Sequence, residues 1–197
     1  MRLFTAVPVV EQFREACSAA HDSFVREAPS WAGEKWVATQ NLHVTLVFLG
    51  DVDQGDVPAL IDGIGVALAD IAVPVLSCPR VTAVSHEGRA RMLWVSLEDE
   101  SGAARSIAEA LLRVSRVFGI KPASRPYSPH VTLCRTRHPH EAPPVALEAA
   151  QSSLNVMSGC VSDPSVILLS SRLAPHGPTY EKVAVWSIGG SDPGGRL

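Results

Sequence analysis

The tetrapeptide His-Val-Thr-Leu occurs twice in this chain of 197 residues, at 43–46 and again at 130–133. Each copy lies in a run that reads as a β-strand. Alternate side chains of a strand share a face, so His43 and Thr45 point one way, and His130 and Thr132 repeat the arrangement. A chain built this way is constrained to a duplicated architecture. If the two strands face each other across a cleft, two imidazoles and two hydroxyls converge where an anion can sit. One such copy alone reads as a half-buried core histidine beside a β-branched neighbour. Two copies in matching contexts read differently. Packing explains the Val and Leu of the motif better than the His and Thr opposite them, because strand interiors favour Val or Ile where nothing polar is required.

The rest of the pattern fits a duplicated unit. A strand is expected at 3–7 and a helix over 11–27, with Val10, Phe13, Cys17, Ala20 and Phe24 at helical spacing and Pro29 as its stop. The first motif strand runs 42–49 to a Gly50-Asp51 turn. Asp56 and Pro58 open a second helix with Leu60, Ile61, Ile64 and Leu68 on one face. Residues 73–84 are expected to be extended, 85–89 a polar turn and 92–97 a strand. Ser101 is a candidate N-cap for a third helix that ends at Gly119. Pro126 and Pro129 hold the approach to the second motif extended. Residues 136–144 read as loop, and 145–158 show no decisive period. Strands at 166–173 and 182–188 follow, joined by a Pro175-His176-Gly177-Pro178 turn, and 189–197 are expected to form a disordered tail. The fold class is α+β: one bilobal domain over 1–188, with two pseudo-symmetric, mostly antiparallel sheets, flanking helices and a central groove.

Composition narrows the function classes. No apolar run approaches a membrane span, and the first residues lead into a strand rather than the apolar stretch of a signal peptide, so a cytoplasmic protein is expected. Cys17, Cys78, Cys134 and Cys160 are scattered with no Cys-x-x-Cys, which argues for reduced thiols rather than a zinc site or disulfide framework. A net charge of −3 excludes bulk electrostatic coating of nucleic acid but leaves room for a local phosphate pocket, for which Lys121, Arg125, Arg135 and Arg137 are near the second motif. Opening a cyclic phosphodiester needs such a kit. One imidazole takes a proton from water, another gives one to the departing oxygen, and two hydroxyls hold nonbridging oxygens as charge builds.

On these residues the chain resembles the two-histidine (2H) phosphoesterases, and within them the bacterial and archaeal RNA 2′,3′-cyclic phosphodiesterases, also called 2′-5′ RNA ligases. The matching pieces are Arg2-Leu3-Phe4, Trp36-Val37, Asn41 with the first motif and Phe48-Leu49-Gly50, Leu93-Trp94, Pro129 with the second motif and Arg135, and Ser171-Arg172-Leu173 with Gly177 and Tyr180. Lys35 stands where the family often has an arginine. The resemblance implies hydrolysis of RNA 2′,3′-cyclic phosphate ends to 2′-phosphomonoesters, with weak reverse ligation. It implies His43 as proton donor, His130 as proton acceptor, and Thr45, Thr132 and Arg135 as phosphate contacts. No metal or other cofactor is expected. The partners are RNA termini or nucleoside cyclic phosphates, not a membrane, and a monomer is expected.

Other readings compete. The same site could serve 2′-5′-linked oligonucleotides or a cyclic phosphate of ADP-ribose. A noncatalytic module that binds RNA ends is a different class, against which two titratable groups argue. His138-Pro139-His140 invites a metal but lacks the usual companion ligands. His21, His86 and His176 have no evident partner. Phe4, Phe48, Trp94 and Tyr127 could stack a base, though core packing is the expectation for each. The residues alone do not say which histidine gives the proton.

Overall fold

The structure, a computed structural model, describes residues 1–120, 126–157, 159–174 and 177–189. Lys121 and Arg125, the Pro175-His176 part of the expected turn and the tail from 190 lie outside the described residues. The chain runs β1 (Arg2–Pro8), α1 (Glu11–Glu27), β2 (Lys35–Trp36), β3 (His43–Asp51), α2 (Val57–Leu68), β4 (Leu76–His86), β5 (Arg89–Asp99), α3 (Ala103–Val117), β6 (His130–His140), α4 (Pro144–Leu154), β7 (Ser165–Ala174) and β8 (Gly177–Ser187). The strands form one antiparallel, eight-stranded sheet in the order β4-β5-β6-β3-β1-β7-β8, with β2 on β6. The α+β class is as expected. The halves of the duplication are fused into a single sheet, because β3 and β6 meet at its centre through the pair Val44–Val131.

The two faces of the sheet differ. On one face the helices bury the main core, which includes Phe13 and Phe24 from α1, Leu60 and Ile64 from α2, Ile107 and Leu111 from α3, and Leu154 from α4. Val44, Val131, Leu93 and Val95 point into that core. The opposite face carries a separate small cluster of Phe4, Ala6, Ile167 and Leu169, with Tyr180 and Val185 packed beside it. None of the helices is long and apolar enough to cross a membrane among the described residues.

Three local expectations need correction. Residues 136–140 are strand, not loop: β6 continues to His140, which pairs with Ala90. Glu34 holds it there, accepting the Arg137 N–H at 2.6 Å and meeting His140 Nε2 at 2.6 Å. The unassigned stretch after 144 holds α4, which starts on Pro144 and buries Ala146, Ala150 and Leu154 at four-residue intervals. Its Ser153 Oγ lies 3.1 Å from Ser23 Oγ of α1. At α3 the N-cap position belongs to Gly102, at φ 70°, rather than to Ser101. The free N–H groups are taken by Ser101 Oγ, which accepts from Ala103, and by the Asp99 carboxylate, which accepts from Ala104 and Arg105. A carboxylate can serve two donors there and suits the positive end of the helix.

A β-bulge interrupts each motif strand. Between β1 and β3, Ala6 pairs with Thr45 and Thr5 with Val47, so Leu46 is the extra residue. Between β5 and β6, Trp94 pairs with Thr132 and Leu93 with Cys134, so Leu133 is the extra residue. Both members of each doubled pair, Leu46-Val47 and Leu133-Cys134, are buried. The first bulge is held by Thr5, fully buried, whose hydroxyl accepts the Val47 N–H at 3.2 Å and donates to the Val47 carbonyl at 3.4 Å. Thr5→Val keeps the shape and removes both hydroxyl bonds, so we expect a loss of about 2 kcal/mol in urea unfolding. A change under about 0.5 kcal/mol, the level of ordinary surface substitutions, would mean that the hydroxyl does not hold the bulge.

Candidate active site

With Val44 and Val131 paired and turned into the core, the residues on either side of each face the open surface. That puts His43, Thr45, His130 and Thr132 on one side of the sheet, at the seam between the halves, each half-buried. The antiparallel register sets each histidine diagonally across from the other, with a threonine opposite it. The four residues singled out by the repeat therefore converge.

The imidazoles are held alike. His43 Nδ1 lies 2.7 Å from the Asn41 carbonyl, and His130 Nδ1 lies 2.8 Å from the Ser128 carbonyl. A carbonyl only accepts, so each Nδ1 carries the proton and donates it. Nε2 is left as the atom that exchanges protons. Among the described residues, no hydrogen bond reaches either Nε2 or the hydroxyl of Thr45 or Thr132. These groups lie on the open face with their polar valences unspent.

The aromatic surroundings break the symmetry. Trp94, which pairs with Thr132 on β5, lies stacked on His130 at 3.9 Å between centroids and 21° between planes. His43 meets Phe4 at 5.1 Å, tilted by 36°, and Tyr180 at 5.5 Å in a T-shaped contact. Trp94 and Phe4 thus serve the histidines themselves. Tyr180, named above only as a match to the family pattern, forms part of the His43 wall. Tyr127 packs against the main core. Phe48 is exposed, contrary to the core placement expected of it.

Arg135 stands five residues after His130, an odd spacing that a regular strand would turn to the opposite face. The bulge at Leu133 restores it to the face that carries the histidines, where it is exposed and pairs with Met92. Its Nη1 lies 3.1 Å from Met92 Sδ. Arg137 is exposed too, and its N–H serves the Glu34 clamp. Lys35, the departure from the family pattern, pairs with Arg135 across β2 and β6. His140 is engaged with Glu34, so the His138-Pro139-His140 run has a structural use. The described group of side chains that could share an ion is Cys78, Glu98 and Glu100, all exposed, and it includes neither motif histidine.

Both imidazoles hold protons less tightly than the ordinary value of 6.5. Burial is the main cause for each, partly offset by the hydrogen bond to the carbonyl. Arg135 lowers both further, and His130 also lowers His43. The site therefore holds two imidazoles in the field of the Arg135 guanidinium, a setting that suits an anion.

The LigT-like phosphoesterase family model matches residues 7–94. An RNA 2′,3′-cyclic phosphodiesterase of Thermus thermophilus is 30% identical over 197 residues, covering 96% of this chain and 91% of that protein. One of Geobacillus stearothermophilus is 28% identical over 198 residues and covers 98% of this chain, which spans 59% of that relative's length. A crystal structure of a Thermus thermophilus protein superposes with a TM-score of 0.74 at 27% identity, over 98% of this chain and 100% of that one. Escherichia coli LigT, crystallised with 3′-AMP, shares the fold at a TM-score of 0.67 and 21% identity, over 96% of this chain and 98% of that one. The chain belongs to the LigT-like phosphoesterase family.

The electrostatics can be checked by NMR. Both imidazoles are expected to titrate below 6.5, and Arg135→Ala is expected to raise both midpoints. The folded chain binds these protons less readily than the unfolded one. Their contribution to stability is thus complete above 6.5 and lost as pH falls through the folded-state values. Midpoints at or above 6.5, or unmoved by Arg135→Ala, would contradict this field.

Proposed function

We propose that the groove hydrolyses RNA 2′,3′-cyclic phosphate ends to 2′-phosphomonoesters by metal-independent, two-histidine acid/base catalysis. The observation that carries the reading is the matched pair of imidazoles. Both are locked with Nδ1–H on a carbonyl two residues back, and among the described residues no hydrogen bond reaches either Nε2 or the hydroxyl of the threonine opposite it in the register. The names of the relatives support the substrate class.

In the step, water attacks phosphorus and gives its proton to His130 Nε2. The bond from phosphorus to the 3′ oxygen breaks, and His43 Nε2 supplies the proton that this oxygen needs. Thr45 and Thr132 donate hydrogen bonds to the nonbridging oxygens, and Arg135 offsets the added negative charge. The next turnover requires the proton to return from His130 to His43 through solvent. The roles rest on the asymmetry of the walls. The indole face stacked on His130 stabilises the imidazolium that forms when His130 accepts a proton. The Arg135 guanidinium, joined by His130 once it has taken the proton from water, makes the His43 imidazolium a readier donor. A 5′-hydroxyl in the place of water would give its proton to His130 and open the cyclic phosphate to a 2′-5′ linkage by the same proton transfers, against the competition of water on an open face.

The test is hydrolysis of a nucleoside 2′,3′-cyclic phosphate in excess EDTA, with product isomers resolved by phosphorus NMR. The expected product is the 2′-phosphate. His43→Ala and His130→Ala are each expected to lower kcat by about 100- to 10,000-fold while remaining folded. Activity abolished by EDTA, a 3′-phosphate product, or near-wild-type turnover in either variant would each overturn the mechanism.

A further inference from the structure

Ser96 is the residue of β5 that pairs with His130. Its chain neighbours Val95 and Leu97 are buried, so Ser96 faces the open side of the sheet, as Trp94 does. The Leu97 N–H donates to the Pro129 carbonyl at 3.0 Å, which makes Leu97 and Pro129 a hydrogen-bonded position of the ladder. Ser96 and His130 are the adjacent, non-hydrogen-bonded pair, in which Cα atoms approach to about 4.5 Å and side chains lie closest. A half-buried hydroxyl therefore stands beside the imidazole that takes the proton of water.

Its partners fix the direction of that hydroxyl. Thr82 of β4, opposite Trp94, has its Oγ1 3.4 Å from the Arg80 carbonyl and 3.1 Å from Ser96 Oγ. A hydroxyl carries one hydrogen, and a carbonyl only accepts. Thr82 gives its hydrogen to Arg80, and Ser96 gives its own to Thr82. Ser96 Oγ is left as an acceptor, and among the described residues no other hydrogen bond reaches it. Two acceptors, His130 Nε2 and Ser96 Oγ, thus stand side by side, and water has two hydrogens to give.

The first motif has no such arrangement. The residue opposite His43 on β1 is Pro8, and the one opposite Thr45 is Ala6, neither of which offers a hydroxyl. The duplicated site carries this extra acceptor beside one imidazole, the one stacked on Trp94.

We propose that Ser96 orients the attacking water, accepting one of its hydrogens while His130 Nε2 takes the other. The proposal rests on the cyclic phosphodiesterase reading. In the step the water oxygen bonds to phosphorus, the hydrogen on the His130 side moves to Nε2, and the 3′ oxygen leaves with the proton of His43. The second hydrogen stays on the former water oxygen, now part of the 2′-phosphate, and is held on Ser96 Oγ throughout. With both hydrogens held, a lone pair of the water is turned to phosphorus. An alcohol has a carbon group in place of that second hydrogen, so it has no use for Ser96.

The experiment turns over a nucleoside 2′,3′-cyclic phosphate in aqueous methanol and resolves the 2′-phosphate from the methyl 2′-phosphodiester by phosphorus NMR. Ser96→Ala should lower hydrolysis about tenfold, chiefly in kcat, as the loss of one hydrogen bond to the reacting water, and leave methanolysis within about twofold. Ser96→Thr should keep the wild-type product ratio. Thr82→Val, which lets the Ser96 hydroxyl turn its hydrogen toward the water, should shift the ratio in the same direction by a smaller factor. Hydrolysis and methanolysis that fall together in Ser96→Ala, or a ratio unmoved by it, overturn the assignment and leave the phosphodiesterase reading standing. Hydrolysis with no methyl ester from any of these proteins overturns it too, because an alcohol would then need more than His130. A wild type that gives neither product overturns the phosphodiesterase reading, and the role of Ser96 with it.

Discussion

Side chains alternate across a regular strand, so residues five apart, such as His43 and Phe48 or His130 and Arg135, would fall on opposite faces. One inserted residue in each motif strand reverses that parity, and the set of side chains on the open face depends on it. Leu46 and Val47 are both taken into the core, as are Leu133 and Cys134, because the helices on that face supply enough apolar surface to cover two neighbours in a row. The chain beyond the bulge is then out of phase with the chain before it. Histidine, threonine and the fifth residue all reach the open face. The doubled hydrophobic pair is thus the physical link between core packing and the site.

The pairing at Val44 and Val131 completes the arrangement. It turns the two valines into the core and the polar residues around them outward, and it brings two copies of one motif together about the centre of one sheet. Near-symmetry gives two imidazoles of the same tautomer. Departures from symmetry give them different surroundings: an indole face on His130, a phenyl and a phenol on His43, and the Arg135 guanidinium on the strand of the second motif. Burial and that guanidinium favour the neutral imidazole, which suits a base, and make the protonated partner more ready to give its proton up.

Much of this was legible in the sequence because it follows from periodicity. The repeated His-x-Thr fixed the shared face, and the helical spacing of Phe13, Cys17 and Phe24, or of Ile107 and Leu111, marked elements that the structure contains. Arg135 could be named from the family pattern, but the reason it reaches the groove lies in Leu133-Cys134, two adjacent apolar residues that no simple alternation distinguishes from an ordinary strand. α4 escaped because Ala146 and Ala150 carry its buried stripe, and alanine gives a faint hydrophobic signal. The extension of β6 depends on Glu34, far away in sequence. The carbonyl locks use backbone atoms of Asn41 and Ser128, so no residue type announces them.

The central claim is that one imidazole must be neutral and the other charged at the same moment. The pH dependence of kcat/KM, which reports the free enzyme, tests it most directly. The account predicts a bell with its maximum on the acid side of 6.5, because both imidazoles hold protons weakly. In the residual activity of the variants, His130→Ala should remove the acid limb and His43→Ala the alkaline limb. A flat or single-limbed wild-type profile would contradict paired histidine catalysis, and limbs lost in the opposite order would contradict the assignment of donor and acceptor.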